Sequence, residues 1–144
     1  MNPSRRTSRH RAVQVLYQCD MRSLEPEHAI SAFYSSLYSE ENEAVPEKDH
    51  YMETLVRGAT DAKPSIDERI RKYSERWRLE RMPTVDRNIL RLAIHEMDLG
   101  DTPPVVVIDE ALELARKFSG PDSVPFVNGV LDAARKDMES RSGQ

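Results

Sequence analysis

This chain has a single cysteine and no long apolar run, and both shortages exclude classes of protein. Cys19 has no second cysteine to pair with, so no disulfide forms within the chain. Its helical core spacing predicts a buried thiol and favours a cytosolic location. No apolar stretch approaches the length of a membrane span, and we expect no signal peptide because the N-terminus lacks an apolar h-region. We therefore expect a cytoplasmic protein that makes no contact with a membrane.

Motifs for catalysis or cofactor binding are also missing. Neither GxGxxG nor a Walker loop occurs, so no nucleotide-binding loop is predicted. The four histidines (His10, His28, His50 and His95) have no partner at metal-ligand spacing, and Cys19 has no histidine near it in sequence. His95 is interpreted as an ordinary surface histidine on the polar side of a helix. The sequence thus predicts no catalytic residue, no metal and no cofactor, and it favours a binding protein over an enzyme.

The chain does contain helical apolar periodicity over most of its 144 residues. This pattern predicts an all-α fold, a compact bundle of about seven helices, with no strand and no internal repeat. Residues 1–144 form a single domain in this interpretation, since the length suits one core. The helix-breaking step Lys63-Pro64 divides the domain into an N-terminal helical half, residues 1–62, and a C-terminal helical half, residues 64–140.

Two residues give local predictions about packing. Trp77 shares the apolar spacing of the fourth helix, which places its ring on the inner face. Gly129 lies inside the last helix, where glycine costs about 1 kcal/mol relative to alanine. We therefore expect another helix to approach closely at Gly129.

The helix predicted over residues 84–99 is the one around which the others are expected to pack. Its apolar side chains cover roughly 220° of the helical wheel, so it must be covered on two or more sides. Thr84 is its expected N-cap and Gly100 its left-handed end. Two acids, Asp86 and Glu96, lie inside the apolar arc, where a carboxylate must be paired, capping or at a surface opening. For Asp86 two interpretations stay open: a first-turn acid favoured by the helix dipole, or an acid left accessible to a basic residue of a partner.

Charge is distributed unevenly along the sequence. Residues 1–22 carry five arginines and one acid, a net charge of +4, whereas the rest of the chain carries 16 basic and 24 acidic residues. A helix extended back from residue 12 would place Arg5, Arg6 and Arg9 on its apolar side, which does not suit arginine. We therefore expect this segment to leave the helix as an arm or to overhang the protein body, with its guanidinium groups free to meet phosphates. The alternatives are a solubilising tail, or an arm that docks on an acidic protein.

Two aromatic rings could assist in binding RNA. An arginine-rich segment beside Tyr17 is the combination used for single-stranded nucleic acid, with charge for the phosphates and a ring for a base. Arg11 is counted with the other arginines as a phosphate contact. Phe126, in the first turn of the last helix, is a second candidate ring. The helical spacing of both rings also fits a place in the core.

Several segments resemble the NusB family of transcription antitermination factors. They are VDRNILRLAIHEM, VVVIDEALELARKFS and FVNGVLD, together with the arginine-rich opening RRTSRHRAVQVLYQCD. The resemblance covers nearly the whole chain and implies a small all-α protein with two packed helical halves. It also implies binding to NusE, a small-subunit ribosomal protein. The pair would bind the boxA element of RNA, mainly in ribosomal RNA leaders, within the antitermination complex of RNA polymerase.

The same resemblance implies roles for individual residues. Tyr17 and Asp86 match positions tied to NusE binding, and the arginines and the start of the last helix match RNA-binding positions. The chain departs from the family at Pro125, where a basic or polar residue is common. The residues and the resemblance together give these expected RNA contacts: Arg5, Arg6, Arg9, Arg11, Asp122 and Phe126.

Two other functions stay open. One is a pure protein-interaction domain whose arginines dock on an acidic protein. The other is an RNA-binding accessory domain related to the helical domains fused to ribosomal RNA cytosine methyltransferases. No methyltransferase domain or cofactor motif follows in this sequence, which favours the free-standing factor. A second copy of the chain could also cover the arginine segment and form a homodimer.

Overall fold

A computed structural model describes residues 3–37, 47–74 and 77–142. These residues form seven α-helices and one short 3₁₀ helix, and no strand occurs among them, which confirms the all-α prediction. The elements in chain order are α1 (Arg5–Arg22), α2 (Pro26–Ser36), α3 (His50–Asp61), α4 (Lys63–Tyr73), the 3₁₀ helix (Leu79–Arg81), α5 (Thr84–Leu99), α6 (Pro104–Phe118) and α7 (Ser123–Ser142). No helix within these ranges is both long and apolar enough to cross a membrane.

The centre of the bundle is α5. It packs against α1, α3, α4, α6 and α7, and its residues Ile89, Leu90, Leu92 and Ile94 are at most 1% exposed. Neighbours on so many sides remove the wide apolar arc of this helix from water. This burial stabilises the fold by about 25 cal/mol for each Å² of apolar surface. The predicted central position is therefore confirmed. Its predicted end is confirmed too, since Gly100 has a φ of 78°, in the left-handed region that favours glycine.

Side chains at two helix starts accept hydrogen bonds from backbone amides. Ser4 Oγ accepts from the amide of Thr7 at 3.1 Å and fixes the start of α1. Asp49 Oδ1 accepts from the amide of Met52 at 2.9 Å at the start of α3. Each bond satisfies an amide that has no partner within its own helix, so both starts are well defined.

Three local predictions are wrong. Thr84 is not the N-cap of α5 but its first residue, and it follows Pro83. Since α4 ends at Tyr73, Trp77 lies outside it, and its side chain is 56% exposed. Gly129 is exposed, and a Cβ added there would meet nothing within 4 Å. Apolar periodicity shows which face of a helix is the most apolar. It does not determine the residue at which the helix ends or which faces stay exposed to solvent.

A close approach between helices does occur, at Gly58 of α3. A Cβ built on Gly58 would lie 2.0 Å from Nε2 of His95 on α5, so only glycine fits beneath this imidazole. His95 is half-buried, which corrects its interpretation as an ordinary surface histidine. Burial lowers the pKa of His95 despite the acids nearby. Nε2 has no hydrogen-bond partner among the residues described.

The helices form two groups that meet at α5. In the first group α1, α2 and α3 pack on one another, and in the second α4 and α6 each pack on α5 and α7. Only Ala62 separates α3 from α4 along the chain. This arrangement agrees with halves at residues 1–62 and 64–140, a division that stays a prediction.

Within the described ranges no group of three or more His, Cys, Asp and Glu side chains is placed to hold a metal ion.

Candidate nucleic-acid and partner interface

The first two turns of α1 carry the arginines that the sequence singles out. They belong to a regular helix capped by Ser4, so the prediction that they form a separate arm is wrong. The expectation that their guanidinium groups are free is also wrong, because each has a partner from a distant part of the chain. The pairs are Arg5 with Thr102, Arg6 with Glu110, Arg9 with Glu96 and Arg11 with Asp49. Contact of these arginines with RNA stays a prediction.

Arg9 is enclosed within the bundle. Its side chain is 7% exposed, and its Nε and Nη2 donate to the two carboxylate oxygens of Glu96 at 2.8 and 2.6 Å. Tyr51 also donates its hydroxyl to Glu96, at 2.6 Å. The acid inside the apolar arc of α5 is therefore paired and hydrogen-bonded, as a buried carboxylate must be.

Arg6 has a different environment, at the surface. Its side chain is 65% exposed, while that of its partner Glu110 is 14% exposed. Nη2 and Nε of Arg6 donate to the two oxygens of Glu110 at 2.8 and 3.1 Å. The hydrogen bond from Arg6 and the positive charges nearby lower the pKa of Glu110, which keeps this carboxylate ionised. Arg6 is thus a guanidinium that solvent, and a phosphate, can reach.

Arg5 and Arg11 each lie over an aromatic ring. The guanidinium carbon of Arg5 is 4.5 Å from the ring centroid of Tyr51, and that of Arg11 is 5.6 Å from the ring centroid of Phe33. Nη1 of Arg11 also lies 3.2 Å from Oδ2 of Asp49, and the side chain of Arg11 is 25% exposed. Stacking orients a planar cation without using all of its donors. Both residues therefore keep N–H groups that an RNA phosphate could accept from.

An open cavity of about 580 Å³ lies beside the second half of α1. Tyr17 lines it, together with Val85 at the start of α5, Phe118 at the end of α6 and residues of α2. The ring of Tyr17 is partly exposed, so it forms a wall of this surface groove and is not a core residue. The role of Tyr17 in binding a partner stays a prediction.

Asp86 lies one residue beyond Val85 but beneath the surface. It is 2% exposed, and Ser123 Oγ donates to its Oδ2 at 2.7 Å. Its Oδ1 is buried and has no hydrogen-bond partner in the described part of the chain. Of the two interpretations left open, the geometry fits the first-turn acid, because the carboxylate is not accessible. Asp86 follows Val85 in the chain, but unlike Val85 it is not among the residues that line the groove.

Asp122 and Phe126 lie on either side of the first residue of α7. Asp122 is exposed in the turn before the helix, and Phe126 is half-buried in its first turn, with its ring packed against the core. Phe126 thus combines the two interpretations, since part of its surface is in the core and part is accessible. The RNA-binding roles of both residues stay predictions.

A cluster of ion pairs that joins α1, α4 and α5 was not predicted. Arg87 Nε and Arg91 Nη1 donate to Asp20 at 2.6 and 2.9 Å. Asn88 Nδ2 donates to the same carboxylate at 3.0 Å, and Arg91 Nε donates to Asp67 at 2.7 Å. Burial raises the pKa of Asp20, but these hydrogen bonds and charges outweigh it and lower the pKa to about 2. No local pattern in the sequence joins these side chains, because they come from three different helices.

Comparison with known proteins identifies the family of this chain. Residues 6–136 match the NusB family. The transcription antitermination protein NusB of Solibacter usitatus is 56% identical over 135 residues, which cover 94% of this chain and 90% of that protein. A solved structure of T. maritima NusB has a TM-score of 0.80 and 32% identity and covers 94% of this chain and 93% of its own. A chain in the crystal structure of antitermination factors NusB and NusE with double-stranded RNA has a TM-score of 0.79 and 29% identity, covering 92% of this chain and 96% of its own. The chain therefore belongs to the NusB family of transcription antitermination proteins.

Proposed function

We propose that this protein binds boxA RNA together with NusE, and that the pair supports antitermination of ribosomal RNA transcription in the cytoplasm. A related NusB structure, solved with NusE and double-stranded RNA, supports this choice of partners. The observation that carries the RNA part is the exposed guanidinium of Arg6 at the start of α1. It presents positive charge on a chain whose net charge is −4, so the attraction of RNA is local to this end of α1.

The groove beside Tyr17 is the proposed site for NusE. Its walls are largely apolar and include Val85, the residue before the buried Asp86 in the chain. The carboxylate of Asp86 is covered in the free chain, so a basic group of the partner would have to displace the side chains over it before it could satisfy the unpaired Oδ1. The protein then acts by holding RNA and NusE in a fixed arrangement and makes no bond itself.

A binding assay tests this function. Labelled RNA that contains a boxA-like element, and a scrambled RNA of the same composition, are titrated with the protein in the presence and absence of NusE. We expect tighter binding to the boxA-like RNA and a further gain in affinity when NusE is present. When the binding of two ligands is coupled, each raises the affinity of the protein for the other. Equal affinity for the two RNAs at all NusE concentrations would overturn the proposal.

A matched pair of variants links the assay to α1. Arg6→Gln removes an exposed arginine from the proposed interface, and Arg116→Gln removes an exposed arginine of α6 that pairs with Glu113. We expect the first variant to weaken RNA binding and the second to behave as the unmodified chain. Equal effects of the two variants would mean that net charge, and not the position on α1, determines the affinity.

A further inference from the structure

The Arg6–Glu110 pair is unequal in its exposure. The carboxylate of Glu110 lies on α6 with 14% of its side chain exposed, whereas Arg6 is 65% exposed. Glu110 is also near a second arginine, with its Oε2 3.9 Å from Nη1 of Arg9. The fold therefore holds the acid in place, while the guanidinium group of Arg6 is free to leave it.

A carboxylate and a phosphate compete for the same face of a guanidinium group. Both accept two parallel N–H hydrogen bonds, and Glu110 already accepts from Nη2 and Nε of Arg6. Because the guanidinium group of Arg6 is solvated, its ion pair with Glu110 contributes little to stability, so a phosphate can displace the acid. After displacement Glu110 stays behind as a negative charge beside the bound phosphate, which opposes binding.

We infer that Glu110 is an internal competitor for the RNA backbone, and that it lowers the affinity of this protein for RNA by occupying Arg6. The inference deepens the proposed function and rests on it. Any RNA must displace this carboxylate before Arg6 contacts a phosphate. The protein therefore depends on its other contacts, those to RNA and those made through NusE, to hold a transcript.

The test is the variant Glu110→Gln, which keeps the shape of the side chain and removes its charge. We expect RNA affinity to rise about two- to fivefold, in line with the strength of exposed ion pairs. The matched control is Glu80→Gln in the 3₁₀ helix, where the side chain is 65% exposed and pairs with Arg71. It changes the net charge by the same amount, and we expect unchanged RNA affinity.

A double variant isolates the mechanism. In the Arg6→Gln background there is no guanidinium to release, so Glu110→Gln should no longer raise RNA affinity. A loss of affinity in the single variant would show that Glu110 positions Arg6 for RNA, and no change would show that the pair does not compete; either result overturns the inference. An equal gain from Glu80→Gln also overturns it. Circular dichroism and NusE binding establish that each variant is folded, and failure of the unmodified chain to bind RNA would reject the proposed function instead.

Discussion

Arg9 and Glu96 form an enclosed ion pair between α1 and α5, with Arg9 Nη2 2.6 Å from Glu96 Oε2. Their side chains are 7% and 2% exposed, so neither charge is solvated by bulk water. Arg9 is therefore a residue that fastens α1 to the central helix. The arginines of α1 therefore differ in role, since Arg9 stabilises the fold whereas the others reach the surface.

Removing the acid of this pair should destabilise the protein strongly. Glu96→Gln leaves the buried guanidinium of Arg9 with only the more distant carboxylate of Glu110, 3.9 Å away. Breaking a buried pair in this way costs about 3–5 kcal/mol. Urea unfolding followed by circular dichroism measures the free energy of unfolding. The control is Glu113→Gln in an exposed pair, which should change that free energy by less than about 1 kcal/mol. A loss below about 1 kcal/mol in Glu96→Gln would mean that the buried pair contributes no more to the fold than an exposed one.

The salt dependence of RNA binding should report how many arginines are available. If Arg5, Arg6 and Arg11 contact phosphates while Arg9 stays on Glu96, log K against log salt should have a slope near −2, from about −0.7 for each contact to a single strand. A fluorescence titration between about 50 and 200 mM potassium chloride gives this value. A slope near −3 would show that Arg9 leaves Glu96 in the complex, and a flat response would remove the arginines from the mechanism.

Phe126→Ala should affect both RNA binding and stability. The ring is half-buried and packs on the core, and the rest of its surface is accessible. Loss of stacking should weaken RNA binding by about 1–3 kcal/mol. Val124→Ala in the same turn of α7 is the control, because it removes packing but no ring. If Phe126→Ala lowers the melting temperature and leaves RNA affinity intact, the ring is a core residue only.

Asp86→Asn should weaken NusE binding and leave the fold intact. The amide oxygen of asparagine can still accept from Ser123, but the negative charge that a basic group of the partner would meet is gone. Ser123→Ala is the control, since it removes the internal hydrogen bond and keeps the carboxylate. Titration calorimetry with NusE measures both. Unchanged affinity in Asp86→Asn would reject the assignment of this residue to the partner site.

The stability of the protein should fall below neutral pH partly because of His95. Burial lowers its pKa from the usual 6.5, although the charges of Asp98, Glu96 and Asp61 act in the opposite direction. The unfolded chain then binds this proton more readily than the folded chain. The contribution of His95 is complete above about pH 6.5 and is lost as the pH falls through the lowered pKa.

Chemical unfolding at a series of pH values checks this prediction. His95→Gln should flatten the dependence of unfolding free energy on pH just below 6.5. His28→Gln on α2, where the side chain is exposed, should retain the dependence of the unmodified chain. An identical pH profile for His95→Gln and the unmodified chain would show that the buried imidazole is not linked to folding.

The fold was predictable because its signals are local. The apolar arc of residues 84–99 identified the central helix, and Gly100 marked its end. Serine and aspartate caps and helix-breaking prolines have short-range effects on the backbone, so the sequence places most helix starts within a few residues. Trp77 and Gly129 were misplaced because exposure depends on which neighbours fold over a residue, and a single helical pattern holds no such information.

The site was predictable only as a set of residue types. Sequence reasoning recognised that Arg9 and Glu96 were each out of place on an apolar face, but the two are 87 positions apart and no spacing rule joins them. The same holds for Arg6 and Glu110, and for Asp20 with Arg87. Partners of this kind become visible only once the helices have packed, because the pairing is tertiary.

Helix α1 carries Arg6 near one end and Tyr17 eleven residues later, which is a separation of about 17 Å along a straight helix. A transcript held at the first position and a protein seated at the second would be neighbours on one stiff rod, fixed in their mutual spacing. Two ligands mounted this way can touch each other directly, and each then raises the local concentration of the other. The length of α1 between these residues would thereby fix the distance between the bound RNA and the bound protein.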